Sequence, residues 1–254
     1  MTENLPVPTN VDAALTALAK RHRAASGLGI QVLNLVGGQA ENLLERLPDP
    51  VKDRLEEATL AALRTSLAAA EKSRGLVGDQ AGWLSRAVAT AMGAAGGAGG
   101  LPTALAELPI TTTVLLRAIQ AVARAHGFDP SSPEIQAECL KVFASAGPLD
   151  SDDGADMAFL AARVSLTGGS VQKILTSVAP RLATVLGQKL AAQTVPVLGA
   201  VAGAATNYAY SSFYHEMAQV HFGLLALARD SGTDSVTLTN ALRERLQKLP
   251  VKKA

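Results

Sequence analysis

The chain has 254 residues, 48% of them hydrophobic but only 4% aromatic, so its core must be built mainly from Ala, Leu and Val. With 23 basic and 22 acidic residues the net charge is +1, which gives no broad cationic surface of the kind that binds nucleic acid. The single cysteine, Cys139, excludes an intrachain disulfide and any Cys-based zinc centre, and it reads as a buried structural thiol.

The start, Met1-Thr2-Glu3-Asn4, has neither a basic nor an apolar signal region, so a cytoplasmic protein is expected. Thr9 or Asn10 is a cap for a helix to about Ser26. Leu28 to Leu33 has a strand-like flavour but continues equally well as helix. Asp49-Pro50 opens a helix to about Arg74, with Leu55, Leu60, Leu63 and Leu67 at helical spacing. Further on, Arg117, Gln120 and Arg124 share one face of an otherwise apolar helix. Ser131-Ser132-Pro133-Glu134 starts a short helix ending near Ala146-Gly147-Pro148. The acidic stretch Asp150 to Asp156 fails the calcium-loop register and reads as a solvated loop. Thr233-Asp234-Ser235 precedes a last helix through Lys248. No regular repeat appears. The expectation is one all-α compact multi-helix domain over 1–254, with central Gly/Ala-rich helices and loose termini at 1–8 and 248–254.

Two segments carry no charge. Ala87 to Ala106 includes Gly93, Gly96, Gly97 and Gly100; Leu190 to Tyr214 includes Pro196, Val197, Gly199, Val201 and Gly203. The spacings Gly93/Gly97 and Gly199/Gly203 allow close helix crossings. Both segments reach the length of a membrane span, but Gly, Ala, Pro102 and Pro196 make them poor spans. Two readings stand: buried central helices, or helices that also meet lipid.

Leu108-Pro109-Ile110-Thr111-Thr112-Thr113-Val114-Leu115-Leu116-Arg117-Ala118-Ile119-Gln120, followed by Ala123-Arg124 and Gly127, closely resembles a signature of the bacterial EcsC family. Gln188 to Ala200, running into Gly203 and Asn207, resembles a second, and Ala218, His221 and Phe222 a third. The likeness extends from about Leu33 to Arg229. It implies a helical protein from a family named after a gene beside an ABC transporter's ATPase and membrane subunits, and it implies no catalytic residues. The chain departs from many relatives at Phe159-Leu160-Ala161-Ala162-Arg163, where an aromatic pair before the arginine is usual.

Enzyme signatures are weak. His215-Glu216 suggests a zinc protease, but the next histidine is His221, not at the i+4 position that shares a helix face. No nucleophile elbow and no phosphate loop occurs, so no metal or cofactor is expected. Arg117, Tyr208, Tyr214 and His215 are the alternative pocket residues, and Glu107, Glu134 and Glu138 are candidate internal partners for Arg117. Without such pairing, Arg117 is the candidate for an anionic headgroup. The leading expectation is a non-enzymatic amphitropic protein, cytoplasmic and peripheral at the inner face of the membrane. Gly93, Gly97, Arg117, Pro196, Val197, Gly199, Val201 and Gly203 would meet membrane lipid or a transporter subunit. A hydrolase with a helix-lined pocket and a soluble intracellular scaffold are the alternatives.

Overall fold

The structure is a computed structural model that describes residues 10–36, 44–73, 108–144, 170–193 and 199–248. Of these, 88% are α-helical and none lies in a strand, as the periodicity predicts. The Asn10 Oδ1 accepts from the Ala13 N–H at 3.0 Å and caps α1, Val11–Val36. This helix passes the stop expected near Ser26. Gly27 and Gly29 each weaken a helix by about 1 kcal/mol, which tertiary packing of α1 along the long helix Gly199–Ser231 overrides.

The helix expected from Asp49 is two helices, α2 (Asp49–Lys52) and α3 (Leu55–Ser73). Between them the Arg54 N–H bonds to the Val51 carbonyl at 3.3 Å, a tighter spacing, while Asp53 stays in the right-handed region. Helix α4 covers residues 108–125. It ends on Gly127 at φ 80°, where the Phe128 N–H reaches the Ala123 carbonyl at 3.0 Å and the Gly127 N–H the Arg124 carbonyl at 2.9 Å. That left-handed turn requires glycine. Arg229 caps the same end, donating to the His126 carbonyl at 3.2 Å above the Phe128 ring.

Ser132 caps α5 (Pro133–Val142), accepting from the Ile135 N–H at 3.3 Å. The helix closes at Val142, short of the expected Ala146. Then come α6 (Val171–Gln193), α7 (Gly199–Ser231) and α8 (Ser235–Lys248), the last capped by Asp234 through the Thr237 N–H at 2.9 Å. Among the described residues, no helix is long and apolar enough to cross a membrane.

Helix α7, about 50 Å long, is the axis of the bundle. Arg21–Glu216 at 3.1 Å and Leu18 against Gly223 set α1 antiparallel to it. The Tyr210 hydroxyl donates to the Val185 carbonyl at 2.9 Å and sets α6 antiparallel as well. On α5, Glu138 meets His221, and just past its end the Phe143 ring meets Tyr214 edge-on at 5.2 Å. Helix α4 runs parallel to α7, because Thr111 lies beside Lys189 and His126 bonds Gln219 at 2.9 Å. Helix α3 crosses α6 at Gly187, and α8 lies on the first half of α1 through Arg245–Asp12 and Arg23 to the Leu246 carbonyl. Leu and Ala dominate the core by number, yet the few aromatics, Tyr210, Tyr214, Phe143 and Phe222, are among its largest members.

Candidate functional site

The registers above bring one end of four helices together. By the register of Arg21 with Glu216, the last turns of α1 reach the level of the first turns of α7. Thr111 and Lys189 place the start of α4 and the end of α6 at that level too. The described parts of these pieces are charge-free in sequence: Ala24 to Val36, Leu108 to Leu116, Leu190 to Gln193 and Gly199 to Tyr214. Lys189, just outside the third, is fully buried. Ala87 to Ala106 leads into this end of α4, but lies outside the described residues. Two of the three most exposed large apolar side chains among the described residues are here, Ile110 at 54% and Tyr208 at 47%. Among the described residues, charge at this level comes from the flank. Leu44, Leu47 and Leu55 sit against Gly187, and Ser66 donates to the Pro109 carbonyl at 3.1 Å, so residues 44–66 form a rim. The rim holds Glu45, Asp49, Asp53, Glu56 and Glu57 against Arg46, Lys52, Arg54 and Arg64, a slight acidic excess.

Below this end the interior turns polar. Tyr214 lies opposite Arg181 and Tyr210 opposite Val185, so a further turn in each direction sets Asn207 opposite Gln188. Tyr214 is fully buried, and its hydroxyl has no hydrogen-bond partner; nor have the Arg181 Nε, the Gln188 Oε1 or the Ser211 Oγ. Each such buried group costs on the order of 1–3 kcal/mol. Burial pushes the Tyr214 phenol well up, and the Arg181 charge partly offsets that. Deeper still, the Glu138 carboxylate bridges Lys141 Nζ at 2.7 Å and His221 Nε2 at 2.8 Å. Burial disfavours the Glu138 charge, but these two partners outweigh it and hold its pKa at about 2.

Gly199, Val201 and Gly203 form the first turns of α7 at the apolar end. Gly93, Gly97, Pro196 and Val197 lie outside the described residues, as do Glu107 and the Phe159 to Arg163 departure. Of the alternative pocket, Arg117 and His215 are half-buried, Tyr214 is in the core and Tyr208 is at the surface. Tyr208 and Tyr214 stand about 120° apart on α7, so they do not line one pocket. Glu138, offered above as a partner for Arg117, is engaged by Lys141 and His221 instead. Cys139 is buried on α5.

The sequence reading missed Ala24 to Val36, whose length without charge is legible but whose place beside α7 is not. It also missed Arg181, which becomes notable only opposite Tyr214. The basic run Lys20-Arg21-His22-Arg23 is dispersed by packing: Arg21 pairs with Glu216, His22 is buried and Arg23 caps α8.

A family model described as the EcsC protein family matches residues 30–224, most of the chain, and the chain belongs to that family. No curated protein and no solved structure matches it.

Proposed function

We propose that this EcsC-family protein is non-enzymatic and amphitropic, meeting membrane lipid or membrane-protein helices at the charge-free end of its bundle. The observation that carries this reading is the convergence there of α1, α4, α6 and α7 segments without surface charge, together with Ile110 and Tyr208 exposed at the same level. The interaction involves partial opening of that end, so that apolar surface transfers from the core to an apolar partner. The protein is thus cytoplasmic and peripheral at the inner face, and transporter subunits are among the membrane proteins it would meet. The rim lacks a cationic excess, so counter-charge attraction to anionic lipid plays little part.

Vesicle flotation tests this directly. The protein should float with phosphatidylcholine vesicles, and adding anionic lipid or raising salt to about 1 M, where the Debye length is about 3 Å, should change the bound fraction little. Absence from the floated fraction under all these conditions would remove the lipid arm of the proposal. Flotation only with anionic vesicles at low salt would assign the contact to charge instead.

A further inference from the structure

The paired donors between α6 and α7 do not belong to the apolar end and are independent of the membrane reading. The Tyr214 hydroxyl and the Arg181 Nε both lack partners, and the Tyr210–Val185 hydrogen bond one turn away on each helix sets the two positions facing each other. The Ser211 hydroxyl, one turn before Tyr214 on the same side of α7, is unmatched as well. The two helices that carry these groups supply no acid to answer them: α6 contains none, and α7 contains none before Glu216. The nearest carboxylate on α5, Glu138, is occupied by Lys141 and His221. Phe143 and Phe213 wall Tyr214 edge-on at 5.2 and 5.4 Å, which keeps the surroundings dry. Donors in such surroundings bind an acceptor far more strongly than in water, and an ionised acceptor most strongly.

We infer that Tyr214 and Arg181 form a binding site for an oxyanion, a phosphate group carried by a free small molecule or by a lipid headgroup. Arg181 is half-buried and Tyr214 fully buried, so Arg181 is the member of the pair nearer the surface. The phenol donates one hydrogen bond and the guanidinium supplies charge and a second donor. Ser211 is placed to reach the same group.

Calorimetric titration with inorganic phosphate and, separately, with monomeric dihexanoyl phosphatidic acid tests this, against chloride at equal ionic strength. Binding of phosphate alone identifies a free ligand, and binding of phosphatidic acid only identifies a headgroup; either supports the site. Tyr214→Phe deletes one unmatched hydroxyl, so it should leave the ligand-free melting temperature unchanged or raised while weakening binding about tenfold or more. Arg181→Gln, at a half-buried position, should weaken binding similarly and serves alone if the first variant misfolds. Failure of both probes to bind the parent protein, or parental affinity in these variants, would overturn the proposal.

Discussion

His22 is buried on α1, and burial, aided by the neighbouring Arg23, lowers its pKa from 6.5 to about 4. The unfolded chain therefore takes up a proton below pH 6.5 that the folded chain refuses until about pH 4. Stability is full above pH 6.5 and falls on acidification to pH 4, by on the order of 3 kcal/mol from this group. Glu138 acts in a lower window: its depressed pKa stabilises above 4.5, and that contribution is lost as pH falls toward 2. Urea unfolding at pH 7, 5.5 and 4 should show the decline, and His22→Met should flatten it while leaving the loss below pH 4.5. An unchanged slope in that variant would show that His22 is not the titrating group. Neither environment was legible in the sequence. His22 lies between Arg21 and Arg23, and nothing in that order of residues marks it as buried; Glu138 meets His221 only because α5 folds back on α7.

Local chemistry was readable at the level of elements wherever the signal and its effect are neighbours. Asn10, Ser132 and Asp234 cap helices as their sequence positions imply, and the family signature's Gly127 sits where only a left-handed turn fits. Helix ends and crossings were less legible, because they depend on the partner surface. Gly187 shows this. Its place in a helix looks unremarkable in sequence, yet a Cβ there would lie 2.5 Å from a Leu55 methyl and 2.6 Å from a Leu44 methyl. Ala at position 187 gains about 1 kcal/mol of helix propensity and meets overpacking of about 1–3 kcal/mol. The contact involves two leucines at once, so the second effect wins. Gly187→Ala should lower the urea midpoint, and Gly187→Leu should lower it further; a raised midpoint in both would mean that α3 and the 44–47 turn yield freely.

On the scale of the molecule, fold class followed from periodicity and caps, because an α-helical bundle writes its pattern locally. The functional surface did not. Two charge-free segments were visible, but a third, at the end of α1, gains meaning only from its antiparallel register with α7. Ile110 lies inside the family signature, where a sequence alone gives no reason to place it outside. Tyr208 and Tyr214 are six residues apart in sequence, and the helix sets them on different faces. The same register supplies an internal control. Val236 is also exposed, at 38%, but it starts α8, beyond the far end of α7 and about 35 Å or more along the axis from Tyr208.

The most direct test of the apolar end compares flotation of the parent with Ile110→Asp, Tyr208→Asp and Val236→Asp on phosphatidylcholine vesicles. All three positions are exposed, so the variants should melt near the parent. A charge carried into the bilayer costs a few kcal/mol, so Asp at 110 or 208 should cut the bound fraction severalfold or more, and Asp at 236 should leave it unchanged. Equal losses at all three positions, or a bound fraction that none of them alters, would contradict the assignment of membrane contact to this end.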